Sequence, residues 1–170
     1  MRTSISVLLL AIVPGWASGP QGHSLPLAFI PNAGQADASV RFMIQTPDLR
    51  AGFTAGGVMF QLQGKQQWLR FRESNPTPEL VGQAAQSGRA NFILGNRRYV
   101  DLPLFSQILY RDLYPGIDLS YCAAGERIKS EFVVTAGGDP KRIRLEYPAA
   151  RLSIEANGDL HRGLAEFRKD

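Results

Sequence analysis

Four carboxylates in the second half of the chain have the side chains that a glycoside hydrolase needs. They are Asp112, Asp118, Glu126 and Glu131. Glycosidases place two such groups about 5 to 10 Å apart, one as the acid and the other as nucleophile or base. The same residues also fit solvent-facing positions of β-strands. We favour that interpretation and predict no catalytic residue among them.

The single cysteine, Cys122, offers little more chemistry. One cysteine cannot form an intrachain disulfide or a zinc site with several cysteines. Catalysis by its thiol would need His161, since the other histidine, His23, precedes the folded region; a small buried hydrophobe is the simpler interpretation. The chain also lacks a phosphate-binding Gly-rich loop, a calcium loop and the H-E-x-x-H and G-x-S-x-G motifs. We therefore predict no metal, no cofactor and no enzymatic activity.

A stripe of Trp68, Arg70 and Arg72 is the best candidate for ligand contact. An aromatic ring beside guanidinium groups can stack on a sugar and hold it by hydrogen bonds. The alternative is that Trp68 covers the second layer of a sheet. The pair Arg97-Arg98 also has two interpretations: it contacts an anion, or it lies in a solvated loop.

The stretch "RDLYPGIDLSY", residues 111–121, predicts a structural corner formed by Tyr114, Pro115, Gly116 and Asp118. Pro115 and Gly116 suit a type II turn, whose twist does not match a tight two-residue hairpin. We therefore predict that the flanking strands meet at a corner or switch sheets instead of pairing directly. Alternation places Tyr114 and Leu113 on opposite sides of the incoming strand. Asp118 is predicted to hold the corner by accepting hydrogen bonds from backbone N–H groups or from a tyrosine hydroxyl.

Hydrophobic residues alternate with polar ones in many short runs separated by Gly-containing turns. This pattern predicts an all-β fold, an antiparallel β-sandwich of short strands with little or no helix after the leader. The segment 78–88 is predicted as a long connecting loop because Gly82 interrupts it. Asn157-Gly158 predicts a hairpin that pairs 151–156 with 159–162. The other predicted strands cover 40–45, 58–62, 68–72, 117–122, 128–135 and 143–147.

The chain of 170 residues suits one domain preceded by an export signal. A cation, a short apolar run and the small residues Gly15 and Ala17 predict a signal peptide over 1–17, too short to remain as a transmembrane anchor. The alternative is a short buried strand or helix at the N-terminus of a cytoplasmic protein. A flexible lead-in of 18–26, a β-sandwich domain of 27–162 and an irregular tail of 163–170 follow. The net charge of +4 comes from scattered arginines, so we predict no nucleic acid partner and an extracytoplasmic location.

Several motifs occur in a fixed order: "LPLAFIPNAGQADASVRFMIQ", "ANFILGN", "YRDLYPGIDLSY", "EFVVTAGGDPKRIRLEY" and "ARLSIEANGDL". Together they resemble the N-terminal domain of unknown function of bacterial cell-surface proteins with SBBP-type β-propeller repeats. The resemblance implies an exported all-β module that precedes a C-terminal β-propeller array, without known activity. The array would begin where this chain stops; a stand-alone protein, a gene fragment and a frameshifted gene all stay open.

The function predicted from these observations is a non-catalytic exported β-sandwich module with a structural or interaction role. A carbohydrate-binding module for surface glycans is the alternative, and a glycoside hydrolase is third. An exposed Trp68 would fit the second, and two carboxylates converging in a cleft would fit the third.

Overall fold

The computed structural model describes residues 3–5, 27–62, 65–125, 127–148, 150–154 and 160–164. These residues form β-strands and one short 3-10 helix, Pro140–Arg142. The all-β prediction is confirmed. The strands are β1 (Thr3–Ile5), β2 (Ile30–Pro31), β3 (Val40–Gln45), β4 (Leu49–Thr54), β5 (Gly57–Leu62), β6 (Lys65–Phe71), β7 (Glu79–Leu94), β8 (Arg97–Tyr114), β9 (Ile117–Ala124), β10 (Arg127–Val134), β11 (Leu145–Glu146), β12 (Ala150–Ile154) and β13 (Leu160–Leu164).

The strands pair in an antiparallel manner in two large sheets and one small one. The five-stranded sheet has the order β1-β10-β9-β8-β7, and the six-stranded sheet has the order β11-β6-β5-β4-β3-β2. Strands β12 and β13 pair with each other, as predicted. Ile154 lies opposite Leu160, which is one residue away from the register that a two-residue Asn157-Gly158 turn would give; those two turn residues lie outside the described part. Neighbours in the sheets are mostly consecutive in the chain, as expected where short turns connect antiparallel strands.

The two large sheets bury their alternating apolar residues against each other. Tyr110 and Tyr121 of the five-stranded sheet meet Phe71 and Phe53 of the six-stranded sheet edge to face, with ring centroids 5.4 and 5.2 Å apart. All four side chains belong to one core cluster, and burying each contributes roughly 1.5 to 3 kcal/mol. The period-two pattern therefore forms the layered sandwich that the sequence predicts.

Several strands were not expected from the sequence: β1, β2, β4, β7 and the first half of β8. The prediction that segment 78–88 is a connecting loop is wrong. From Glu79 onward this segment forms the first half of β7, which pairs with β8 along its length. Gly82 interrupts a helix, but in the strand it makes room for the ring of Phe105, which would lie 2.6 Å from a Cβ at this position. With 16 and 18 residues, β7 and β8 are also longer than the short strands predicted.

Candidate functional site

The corner at Pro115 and Gly116 is a tight turn between β8 and β9. Gly116 has a φ of 71°, the positive value that a type II turn requires at its third residue. The prediction that the flanking strands do not pair directly is wrong, because β8 and β9 are hydrogen-bonded neighbours and Tyr114 lies opposite Ile117.

An irregularity in β8 reconciles this turn with direct pairing. The register shifts between Tyr110 and Tyr114, and Asp112 within that interval has a φ of 48°. The shift breaks the alternation, so Leu113 and Tyr114 are both buried although the sequence predicts opposite sides. A β-bulge increases local twist, which offsets the twist that a type II turn lacks.

The bulge is held by hydrogen bonds to its backbone. Asp118 Oδ1 accepts the N–H of Asp112 at 2.7 Å. On the other side, Asn75 donates its backbone N–H to Leu113 O at 2.8 Å and its side-chain amide to Asp112 O at 3.2 Å. Asp118 thus makes the kind of contact predicted for it, and its contribution to stability stays a prediction.

Tyr114 connects this corner to the other sheet. Its buried hydroxyl donates to Arg144 O at 2.9 Å and accepts from Arg144 N at 3.2 Å. Arg144 O also accepts the N–H of Arg72 at 2.9 Å, just after β6. Burial raises the pKa of Tyr114, and its hydrogen bond to Arg144 opposes that shift. Tyr114 therefore links the corner to the segment that leads into β11 of the six-stranded sheet.

Three of the four candidate carboxylates, Asp112, Asp118 and Glu131, lie in the described part of the structure, on β8, β9 and β10. Asp112 is exposed, and the carboxylate of Asp118 is engaged with the backbone. Asp118 and Glu131 lie at diagonal positions on the outer face of β9 and β10, since their opposite residues are Val133 and Ser120. Glu126 lies outside the described residues. Among the residues that are described, no three His, Cys, Asp or Glu side chains are grouped to hold a metal ion.

Cys122 lies on the same outer face and is half-buried. Its Sγ is 3.6 Å from the hydroxyl of Ser120, which also accepts the side-chain amide of Gln107 at 2.7 Å. The side chain of His161, the partner that thiol catalysis would need, is outside the described part of the structure. The pairing therefore stays an untested alternative.

The outer face of the six-stranded sheet carries a continuous apolar strip, formed by Val40, Met43, Gly52, Met59 and Trp68. Met43, Gly52, Met59 and Trp68 are direct neighbours across β3, β4, β5 and β6. A Cβ at Gly52 would lie 3.3 Å from Val40 Cγ2 and 3.6 Å from Met59 Cε. These side chains therefore meet above the glycine. Trp68 is 37% exposed.

Polar and cationic residues border the apolar strip. The row on one side contains Arg50 and three glutamines, of which Gln66 donates its amide to Met59 Sδ at 3.1 Å. Arg70 lies on the other side, two residues after Trp68, and is exposed. Arg72 follows β6 and forms an exposed ion pair of 3.5 Å with Glu146, so its charge is partly neutralised.

The strands that build the apolar strip contain no acidic residue. None of β3, β4, β5 and β6 includes Asp or Glu, whereas Arg50 and Arg70 lie on their outer face. Glu146 on the short strand β11, opposite Arg70, is the nearest carboxylate in the pairing order. The face therefore combines apolar side chains with positive charge.

A family profile for DUF7948, described as a domain of unknown function, matches residues 29–166. The chain belongs to the DUF7948 family. Searches of the curated proteins and of the solved structures gave no match. The DUF7948 match includes both the corner and the apolar strip, and its description names neither an activity nor a propeller array.

The "NAGQ" motif of this DUF7948 domain also builds a turn. Asn32 Oδ1 accepts the N–H groups of Gly34 and Ala36 at 2.9 and 3.1 Å, and its amide donates to Val40 O at 2.9 Å. Tyr99 of β8 donates its hydroxyl to Gly34 O at 2.8 Å. The two most distinctive motifs, "NAGQ" and "YPGIDL", thus have a structural role in the contacts described.

Sequence reasoning found part of the apolar strip of the DUF7948 domain. It identified Trp68 and Arg70 on one strand but missed Met43 and Met59, because only the pairing register shows that they are neighbours. The turn signal at Thr54–Gly57 predicts a hairpin and could have suggested the register of β4 and β5. No helix in the described residues has the length and hydropathy needed to span a membrane.

Proposed function

We propose that this chain is a non-catalytic, exported interaction module of a bacterial cell-surface protein, and that it binds its partner through the apolar strip. The carrying observation is the composition of that face. Trp, Met and Arg are enriched in the buried centres of protein interfaces, whereas Asp and Glu are depleted there. The outer face of strands β3 to β6 likewise contains Trp, Met and Arg, and these strands contain no Asp or Glu.

The dimensions of the apolar strip favour a narrow partner. From Trp68 on β6 to Met43 on β3 there are three inter-strand steps, or about 14 Å. That length fits an extended peptide segment or a loop laid across the strands. Arg50 and Arg70 on either side would favour a segment with acidic residues, because opposite charges steer association and restrict the choice of partner.

Hydroxyl-radical footprinting tests this binding surface. We expect Met43, Met59 and Trp68 to be oxidised more slowly on the producing cells than in the purified, folded chain. Leu109 is the control, because it is half-buried on the outer face of the other sheet. Equal oxidation of the strip in both samples would contradict the proposal.

The proposed export is supported by the leader "MRTSISVLLLAIVPGWASG". A cationic start, an apolar core and small residues near the cleavage point are the features that signal peptidases recognise. N-terminal sequencing of protein from outside the cytoplasm should begin at Ser18. A mature protein that still begins at Met1 would argue against it.

The propeller context is supported only by the resemblance of the five motifs. It is tested by the genomic DNA downstream of the gene. A run that encodes propeller repeats, in frame or out of frame, is expected. Unrelated genes in that position would contradict the propeller context and would favour a stand-alone module.

A carbohydrate-binding module is the second candidate, favoured by the exposure of Trp68. Its ring stands between Gln66 and Arg70 on the same face of β6, which gives a stacking surface with donors on both sides. A glycan array would show binding that is lost in Trp68→Ala and kept in Val100→Ala, which removes an exposed apolar side chain elsewhere. Array binding that survives Trp68→Ala would rule out this site.

A further inference from the structure

The end of the β7–β8 hairpin holds most of the exposed large hydrophobic side chains. Among the described residues, four such side chains are exposed, and three of them flank the turn at Gly95-Asn96. The exposed fractions are 70% for Ile93, 49% for Leu94 and 61% for Val100. Clusters of exposed apolar side chains on a soluble domain usually mark a contact surface.

This hairpin end projects from the sheet as a two-stranded ribbon. In the described part of the chain, β8 pairs with β9 only from Gln107 onward, and its contact with Phe29 is at Phe105. Residues 89–103 therefore pair only within the hairpin. The hydrogen bond from Tyr99 to Gly34 supports one face of the ribbon, which gives its tip a defined position.

The apolar side chains point to both faces of the ribbon. Pairing places Leu94 opposite Arg97 on the face of Tyr99, whereas Ile93 lies opposite Arg98 on the other face. Strand alternation places Val100 on the face of Arg98. A flat protein partner would cover the apolar side chains of one face and leave those of the other face exposed to water. A layer that surrounds the tip satisfies both faces, and a lipid headgroup region is such a layer.

The charge of the tip favours an anionic layer. Residues 89–101 contain three arginines and one aspartate, a net charge of +2. Arg89 forms an ion pair with Asp101 at 3.3 Å. Within the described residues, Arg97 and Arg98 have no ion-pair partner. Arginine beside apolar residues is well suited to a bilayer interface, where its stem lies in the apolar region and its charge contacts phosphate.

We propose that the tip of the β7–β8 hairpin inserts into the headgroup layer of a bilayer that contains anionic phospholipid. Ile93, Leu94 and Val100 enter the apolar boundary, and Arg97 and Arg98 contact phosphates. The contact is peripheral and reversible. The tip belongs to the five-stranded sheet, whereas the apolar strip lies on the six-stranded sheet.

Hydrogen exchange of the full chain localises this contact. Vesicles of phosphatidylglycerol mixed with phosphatidylcholine should slow exchange at amides 92–100, and vesicles of phosphatidylcholine alone should slow it much less. The chain that begins at Ser18 should show the same slowing at 92–100, which separates the contact of the tip from the affinity of the leader for lipid. Unchanged exchange at 92–100 would overturn the proposal. Slowing that depends on protein concentration without vesicles would assign the tip to a second copy instead.

Variants separate the apolar and the charged contributions. Ile93→Ser/Val100→Ser should weaken binding to the mixed vesicles by about tenfold or more, whereas the conservative Ile93→Leu/Val100→Ile should keep it. Arg97→Gln/Arg98→Gln should weaken it by roughly tenfold, and added salt should remove most of that difference. The charge-matched control is Arg127→Gln/Arg142→Gln, on exposed residues elsewhere. Equal losses in the control and tip variants would overturn the proposal.

Discussion

At the scale of single residues, the acidic side chain of Asp118 is engaged in holding the backbone. Its Oδ1 accepts the N–H of Asp112, whose φ of 48° costs conformational energy that this bond offsets. We expect Asp118→Ala to lower the free energy of unfolding by about 1 kcal/mol, because the bond is charged but open to water. Urea unfolding measures this change.

The matched control is Asp112→Asn. It removes a neighbouring charge at the same corner but keeps a residue that tolerates positive φ, so a change of less than about 0.5 kcal/mol is expected. If both variants lose the same stability, the effect comes from charge at the corner and not from the bond of Asp118.

At the scale of elements, Gly82 determines how β7 packs. The ring of Phe105 lies 2.6 Å from the position of a Cβ at Gly82. The same ring packs edge to face against Phe42, with ring centroids 6.1 Å apart. Gly82→Ala should therefore lower stability by about 1 to 3 kcal/mol through overpacking. Gly56→Ala is the control, because no atom lies within 4 Å of its added Cβ. Thermal unfolding of both variants compares them, and equal melting temperatures would contradict this account.

The edge of β10 depends on the start of the chain. Thr3–Ile5 forms β1 and pairs with β10 from Phe132 to Val134. If the leader is cleaved after Ala17, this edge loses its neighbour and its backbone groups face solvent. Amides 132–134 should then exchange hydrogen faster in the chain that begins at Ser18 than in the full chain. Equal rates in the two forms would show that β1 does not protect this edge.

The sequence predicts strands where large apolar residues alternate, as in β3 and β9, because burial of one face requires that period. It does not predict β7, where "GQAAQSG" has small and polar residues and the strand exists through pairing with β8. The bulge at Asp112 is similar, since a local turn rule cannot include the hydrogen bonds from Asn75 and Asp118. Trp68 and Arg70 were predictable as a stripe on one strand. The rest of the apolar strip depends on register, which is a property of the folded sheet.

At the scale of the whole molecule, three buried tyrosines connect stability to alkaline pH. Burial raises the pKa of Tyr110 and Tyr121 well above the ordinary value of 10.0, and that of Tyr114 to a lesser extent. Above pH 10.0 the unfolded chain loses these protons first, so the unfolded state is favoured as pH rises. These groups should not change the free energy of unfolding below pH 10.0. Above it, that free energy should fall by up to about 1.4 kcal/mol per pH unit for each of Tyr110 and Tyr121, and by less for Tyr114.

The control for this pH dependence is Tyr110→Phe. It loses the hydrogen bond from the hydroxyl to Thr54 O, so it is less stable at all pH values, but its stability should decline less steeply above pH 10.0. Urea unfolding between neutral pH and about pH 11 measures both slopes. Identical slopes would show that Tyr110 does not contribute to the alkaline loss.

The central claim is that the chain binds a partner through the outer face of its six-stranded sheet. A photo-crosslinking amino acid placed at position 68 or 59, in protein exported by the producing cells, tests it most directly. The same group at position 129, on the outer face of the other sheet, is the control. The account predicts a discrete crosslinked product from positions 68 and 59 and none from 129. Crosslinks from 129 with none from 68 and 59 would contradict it.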